Sequence, residues 1–594
     1  MQKLRGVLKN GSRILKIIWP SSKWLIGGYF LVVLIGSALP FLSSAVRGLL
    51  INDLSSAVAG GNTENVYILI GITVFLIFLS SIVNDAEGTI QVLSGHRIEK
   101  AITEMELKKR MKIDCAQIED PKLNDLFNKV NQKGVWSFQD FFARFFSTIR
   151  FGVRFILAAL AITWASPWLL LLLMLSVIPE VIVDMRDANR AWGIHNAKAE
   201  TTRKYWDLQS IFRHQIVEAK LFGALHYFYE RMISLLDKFH KDDRDREIVN
   251  YRFKTFATLL TNSAMGVAMV WCALRVLEGD IMIGTFTFYI ESIMNLRNSL
   301  SSTLFNVSRA MSVNLYVNDV FTMVDLPSTL PDTKHLPPIH KNGTPEIVFK
   351  NVSFAYPDTT RNVLENISIT IKPGEKLAVV GLNGAGKTTF VKLLCRFYDP
   401  DKGHIALDGK DLREVNLNSW HQKMGVLFQN FNHYYLPVKE AIAAGQTGKA
   451  ISLKKVKEAA DRAQATGFIE NMPQKFNTQL GKHYTGGVNL SGGEWQKIAL
   501  ARMFYRDPDI VILDEPTSAI DAQSEAAVFE HLEKVSEGKT VIFISHRFST
   551  VRRAEKIAVI DKGKLAEYGT HEELIKLDKE YARLYNLQAK AFNE

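Results

Sequence analysis

The stretch Lys376–Phe390, KLAVVGLNGAGKTTF, decides the architecture of the second half of this 594-residue chain. Leu377 to Val380 is an apolar run that predicts a buried strand. GLNGAG follows as a glycine turn, and Lys387 onward opens a helix, the order in which a phosphate-binding loop is built. Gly381, Gly384 and Gly386 let backbone N–H groups converge on phosphate oxygens with no Cβ in the way. Lys387 is placed to reach the β and γ phosphates and Thr388 to put its hydroxyl on Mg²⁺, while the helix N-terminus adds partial positive charge. With Asn383, Ala385 and Thr389 these residues form the expected nucleotide cradle.

Downstream, DIVILDEP (Asp509–Pro516) predicts a second buried strand, Ile510 to Leu513, that delivers Asp514 to its end as a water-mediated Mg²⁺ ligand. Glu515 follows and points differently on an extended strand end, a position suited to a general base acting on water in line with the γ phosphate. Farther upstream the texture changes. Pro327, Pro331, Pro337, Pro338 and Pro345 make 326–345 an extended linker that cannot continue a helix. Before it, residues 1–325 alternate long apolar runs with basic segments; after it, 346–594 reads as a soluble α/β domain.

Val66–Val83 is eighteen residues without a charge, enough for a helix that nearly crosses a ~30 Å hydrocarbon layer. Trp24–Leu50, Phe138–Trp164, Trp168–Val183, Phe256–Leu277 and Ile281–Val307 bring the expected spans to six. His96–Gly134 carries nine Lys and Arg while 52–65 and 165–167 carry none, which puts the basic loop, and with an even span count both termini, in the cytoplasm. The N-terminal MQKLRGVLKNGSRILKIIW has the charge of a signal-peptide n-region, but Leu4, Val7, Leu8, Ile14, Leu15 and Ile18 fit an uncleaved interfacial helix with its apolar face on lipid. Helical periodicity in the cytoplasmic loops extends the spans below the membrane to short contact helices around Asp114–Asn128 and Asp207–Phe222. Asp85, Glu87, Arg144, Arg150, Arg154, Glu180, Glu291 and Arg297 fall within or beside spans, where charge is costly, and are expected to pair across helices or face a polar cavity. The net charge of +11 follows these apolar segments, which favours a membrane over nucleic acid as partner. The three scattered cysteines form neither a disulfide framework nor a zinc spacing.

Between the two acidic and glycine motifs stands LSGGEWQ, Leu490–Gln496, with no nucleophile or metal ligand of its own. Together these residues resemble the ATP-binding cassette family, and membrane spans followed by a cassette on one chain is similar to the half-transporter exporters. The resemblance covers essentially the whole chain and is strongest from Tyr356 to His546. It implies that Tyr356 in FAYP stacks on adenine, that Gln429 in LFQN senses Mg²⁺ and the γ phosphate, that Asp521 in SAID lies at a dimer interface, and that His546 in ISHR contacts the γ phosphate. It also implies that Ser491, Gly492 and Gly493 close over the ATP of a second cassette, their hydroxyl and N–H groups forming another anion site at a helix start. The expected molecule is thus a multidomain protein of the plasma (inner) membrane, an all-α six-helix transmembrane domain followed by an α/β P-loop cassette. Its cofactors would be ATP and Mg²⁺, and its partner a second half-transporter, most simply an identical chain in a homodimer; nucleic acid is not an expected partner.

Three departures accompany the resemblance. GKHYTGGVN (Gly481–Asn489) lacks the acidic stretch that many exporters carry before the signature, Ile520 replaces a common leucine, and Glu494 replaces a frequent glutamine. LSGGEWQKIALAR is most similar to lantibiotic and related peptide exporters. The cargo expected is an amphipathic peptide, drug or lipid moved outward by alternating access. A flippase for a lipid or lipid-linked precursor, an ATP-gated channel, and a cassette ATPase acting on nucleic acid without transport are the alternatives.

Overall fold

The computed structural model describes residues 2–61, 63–197, 199–214, 216–331, 333–339, 343–357, 359, 361–514, 538–545 and 551–593. The chain divides into two units, one of Met1–Lys112 with Lys122–Pro327 and one of Ile113–Pro121 with Ser328–Glu594. Its helices up to the end of the first unit are α1 (Gln2–Val58), α2 (Glu64–Arg110), α3 (Cys115–Glu119), α4 (Pro121–Ala165), α5 (Pro167–Ala197), α6 (Ala199–His214), α7 (Ile216–Leu221), α8 (Leu225–Leu277) and α9 (Ile283–Val324). At 47 residues, α2 is roughly 70 Å long, over twice the thickness of a hydrocarbon layer. The long helices therefore extend well past any membrane.

Among the described residues, α1, α2, α4, α5 and α8 each contain a stretch long and apolar enough to cross a membrane, five in all. The sixth expected span starts in the turn before α9, a helix of 42 residues whose apolar positions are interrupted by Glu291, Arg297 and repeated Ser and Asn. Within the unit α1 packs on α2 and α9, and α5 on α8 and α9. The polar side chains mostly pair across these helices. Glu87 on α2 meets Arg150 on α4, and Arg47 on α1 lies 2.9 Å from Glu291 on α9, which also accepts from Ser44. Arg154 donates to the Gly36 carbonyl at 3.0 Å, Arg144 to Asn306 at 3.3 Å, and Ser301 to Glu180 at 3.3 Å. In a low-dielectric bundle an unpaired charge is expensive, so pairing is the physical outcome. Asp85, by contrast, is exposed and Arg297 half-buried.

The first turns depart from expectation. Ile14 and Ile18 are each 2 % exposed, facing protein rather than lipid. Their row on α1 continues to Asn10, which donates to Asn314 of α9 at 3.0 Å, while Arg13 forms a two-pronged pair with Asp325 at 2.6 Å. Only part of the expected lipid face turns inward: Val7 and Leu15 are half-buried and Leu8 stays exposed. The chain then breaks at Ser22 (φ −147°, ψ 22°), just past Pro20, and the apolar part of α1 begins there.

Near the opposite end of α1, Gly48 faces Gly284 at the start of α9, where Asn52 caps the helix by accepting from the Gly284 N–H at 2.7 Å. A Cβ at Gly284 would fall 1.9 Å from the Gly48 carbonyl oxygen. Gly284→Ala should therefore push the helices apart and cost roughly 1–3 kcal/mol, read as a lowered thermal midpoint in detergent; an unchanged midpoint would show that the contact is not rigid.

The second unit builds β1 (Ile347–Phe354), β2 (Leu364–Ile371), β3 (Lys376–Val380), α10 (Lys387–Leu394), β4 (Lys402–Leu407), β5 (Lys410–Asp411), α11 (Leu417–Lys423), β6 (Met424–Leu427), α12 (Val438–Ala443), α13 (Leu453–Arg462), α14 (Thr466–Glu470), α15 (Gly492–Arg506), β7 (Ile510–Asp514), β8 (Thr540–Ile544), β9 (Lys556–Asp561), β10 (Lys564–Gly569), α16 (His571–Lys576) and α17 (Glu580–Asn593). A four-stranded antiparallel sheet runs β2-β1-β4-β5 beside a six-stranded sheet ordered β10-β9-β3-β8-β7-β6, whose strands are parallel apart from β10. Alternate residues of the central strands feed two cores. Ala378, Val380, Val511, Leu513, Val541 and Phe543 point to one, and Leu377, Val379, Ile510, Ile512, Ile542 and Ile544 to the other. Burial on both faces is why these segments read as continuous apolar runs. All three cysteines are free, and burial pushes the Cys395 thiol up to about 12, which leaves it inert.

Of the two anticipated contact helices, the first proves short: α3 spans only Cys115–Glu119, and α4 restarts at Pro121. Both ends of α3 are tied within the second unit. Asp114 Oδ2 accepts from Thr329 N at 2.6 Å, Ser328 Oγ at 2.8 Å, Thr329 Oγ1 at 2.9 Å and Leu330 N at 3.1 Å. Glu119 accepts from Lys392 at 2.6 Å and from the Tyr398 hydroxyl. Burial opposes both charges, yet these hydrogen bonds hold both carboxyls below the usual range. The tie is therefore complete above the ordinary carboxyl pKa of about 4 and is lost as pH falls through the depressed values. Protection of the Cys115–Glu119 amides, taken relative to the intrinsic exchange rate at each pH, should hold through neutral pH and fall only under acid.

Candidate functional site

The carboxyl ends of the parallel strands supply the site, as open α/β sheets do. β3 lies between β8 and β9, and the chain leaving it turns through Gly381 (φ +156°), Gly384 (φ +80°) and Gly386 (φ +109°). A Cβ at Gly381 would sit 2.2 Å from the Ile560 carbonyl oxygen, and one at Gly386 2.6 Å from Leu364 Cδ2. Only glycine fits there on both counts. Lys387 begins α10, is 7 % exposed, and donates from Nζ to the carbonyls of Gly381 at 2.8 Å and Leu382 at 3.1 Å. Its ammonium is thus folded back across the loop crown, over the ring of N–H groups.

Above the loop opens a cavity of about 700 Å³. Gly381, Asn383, Gly384, Gly386, Lys387, Thr388 and Thr389 line it, joined by Gln429 after β6 and Ser545 after β8. Ala385 is 5 % exposed in the loop wall. Asp514 ends β7 beside β8 and is 3 % exposed. The Thr388 hydroxyl and the Gln429 amide line the cavity whereas Asp514 is not among the described residues lining it; oxygen donors of these kinds are those Mg²⁺ takes together with phosphates. Glu515, Asp521 and His546 lie outside the described residues. Sequence reasoning missed Val363, Ser545, Leu584 and Leu587 as walls. Ser545 was within reach, because it ends the apolar strand TVIFI just as Asp514 ends IVIL; the leucines come from α17, where nothing in the local pattern marks them.

Tyr356 is placed differently from the cradle. It is not among the described residues lining the cavity; its hydroxyl lies 3.1 Å from Thr389 Oγ1, and its ring sits 5.2 Å from Lys392 Nζ.

Ser491, Gly492 and Gly493 do not line the cavity either. Ser491 caps α15, its Oγ accepting from Glu494 N at 3.3 Å while Glu494 Oε2 accepts from Ser491 N and Oγ, both at 2.8 Å. This reciprocal arrangement is a capping box, which Glu494 completes at N3. Trp495 is 3 % exposed and stacks on His433, centroids 4.4 Å apart at 6°, with Tyr435 edge-on at 5.7 Å. Those rings bind the start of α15 to the segment just after Gln429. The segment is thus anchored structurally at Trp495, with Ser491 exposed at the helix start and outside the cavity above Lys387.

Comparison with known proteins agrees along the whole length. Residues 25–300 match the ABC transporter transmembrane region and 364–518 the ABC transporter family model. The subtilin transport ATP-binding protein SpaT of Bacillus subtilis is 30 % identical over 603 residues, covering 98 % of this chain and 95 % of that protein. An ATP-dependent lipid A-core flippase of Alkalilimnicola ehrlichii is 32 % identical over 442 residues, 74 % of this chain and 73 % of that one. The structure of a bacterial Atm1-family ABC exporter with ATP bound shares the fold with a TM-score of 0.82 at 24 % identity, covering 96 % of this chain and 99 % of that one.

Proposed function

Since this chain belongs to the ABC transporter family, we propose that two identical copies of it sandwich ATP between the phosphate loop of one and the Ser491–Gly493 start of α15 of the other, and use hydrolysis to export an amphipathic solute. It is a multi-pass membrane ATPase with a cytoplasmic ATP-binding domain. The observation that carries the proposal is the exclusion of Ser491, Gly492 and Gly493 from the cavity above Lys387. An anion site left outside its own phosphate pocket needs a phosphate brought by another chain.

Within the pocket, Lys387 and the loop N–H groups bind the polyphosphate. Thr388, Asp514 and Gln429 would hold Mg²⁺, which when bound neutralises charge on the β and γ oxygens. Glu515 takes the proton of the attacking water and His546 steadies the γ phosphate, roles implied by their motifs. Asp521 would face the partner, and Tyr356 the adenine. Splitting the polyphosphate weakens the joint between cassettes. Because α3 connects α2 to α4 yet is tied to the second unit, motion of a cassette is passed to the helices.

Relatives named for subtilin transport and for lipid A-core flipping bracket the cargo as a membrane-active amphipath, peptide or lipid. The pairs Glu87–Arg150 and Arg47–Glu291 and the carbonyl-bound Arg154 are polar groups on the spanning helices that a charged head could meet. In nanodiscs, ATP hydrolysis should rise with cationic peptides or with lipid-linked candidates. Stimulation by neither class would remove the export reading.

A further inference from the structure

Lys392 lies on α10, one turn beyond the phosphate loop, and none of the roles above uses it. Its Nζ is 2.6 Å from Glu119 Oε1, 5.2 Å from the centroid of the Tyr356 ring and 6.0 Å from that of Tyr398. Tyr398 donates its hydroxyl to the other Glu119 oxygen and stands edge-on to Tyr356, centroids 5.4 Å apart at 89°. The Tyr356 hydroxyl is itself held 3.1 Å from Thr389 Oγ1 in the cradle. The lysine side chain is only 23 % exposed, so water screens its charge poorly.

We infer that Lys392 is a positioning residue for the nucleotide base: its ammonium holds one face of the Tyr356 ring and leaves the opposite face to adenine, while Glu119 of α3 fixes where that ammonium sits. A cation over a ring face is attracted by the ring quadrupole. Here the attraction adds to the T-shaped contacts with Tyr398 and with Phe354, whose centroid is 5.2 Å away at 78°, and to the hydroxyl tether to Thr389, so the ring is held before the base arrives. The base platform and the segment between α2 and α4 then share one charge. Displacing α3 takes Glu119 from Lys392 and loosens the platform; by linkage, a base stacked on the platform favours the tied position of α3.

This inference rests on Tyr356 being the base-stacking residue, so its test measures both. KM and kcat for ATP are determined on the full-length protein in nanodiscs for Tyr356→Ala, Lys392→Met, Lys392→Arg and Glu119→Gln. Tyr356→Ala should raise KM roughly tenfold, the scale of a lost base stack. Lys392→Met should raise it about two- to fivefold with little change in kcat, Lys392→Arg should restore it because guanidinium also binds ring faces, and Glu119→Gln should raise KM less than Lys392→Met. Should Tyr356→Ala raise KM while Lys392→Met leaves it unchanged or lowers it, the positioning role is refuted and the reading of Tyr356 stands. An unchanged KM for Tyr356→Ala refutes both. A fall in kcat and thermal midpoint that Lys392→Arg does not rescue would show a purely structural lysine.

Discussion

Lys387→Met is expected to lower ATP hydrolysis by about a thousandfold, the loss that follows removal of a preorganised group facing developing charge. The side chain is buried and donates to two carbonyls of its own loop, Gly381 and Leu382. Methionine has a similar length and leaves those carbonyls to solvent or Mg²⁺-bound water, so the loop, fixed by glycine geometry at Gly381 and Gly386, should stand. The defect should therefore appear as lost turnover with an unchanged thermal midpoint in the absence of nucleotide. Phosphate release within about tenfold of wild type would mean that the pocket above α10 is not the hydrolytic site.

Gly493→Asp should be as damaging for a different reason, and mixing separates the two. A second carboxylate beside that of Glu494, together with a side chain where glycine leaves the backbone bare, should repel the polyphosphate and block the sandwich, while the phosphate loop of the same chain stays intact. Each variant alone should be inactive. Coexpressed with Lys387→Met, Gly493→Asp should recover partial hydrolysis, because one composite site of the mixed dimer pairs an intact loop with an intact α15 start. If α15 served the ATP of its own chain, the mixed dimer would contain no complete site and activity would stay at the level of the single variants.

The cradle was legible because each of its demands is local. A strand, three glycines at fixed spacing and a lysine opening a helix specify a phosphate loop with no knowledge of the rest of the fold. The parallel core was legible for a related reason: strands buried on both faces have no polar positions to confuse the pattern. What escaped depended on long-range pairing. Ile14 and Ile18 have the periodicity of a lipid-facing helix, yet they are buried on turns whose Asn10 and Arg13 bond Asn314 and Asp325, some three hundred residues later. Lys392 and Glu119 are ordinary surface charges in sequence, and α9 reads as a weak span because its polar residues have partners on α1, α4 and α5. α17 reaches the phosphate pocket only through the sheet order.

The box between Ser491 and Glu494 has a consequence for when the second cassette can engage. The carboxylate already satisfies the N–H and hydroxyl of Ser491, so the helix mouth carries its own stopper. Any anion arriving there competes with a carboxylate that already holds both donors. In the proposed sandwich the partner's triphosphate would have to take Ser491 N and Oγ from Glu494, so closure would be coupled to release of that carboxylate.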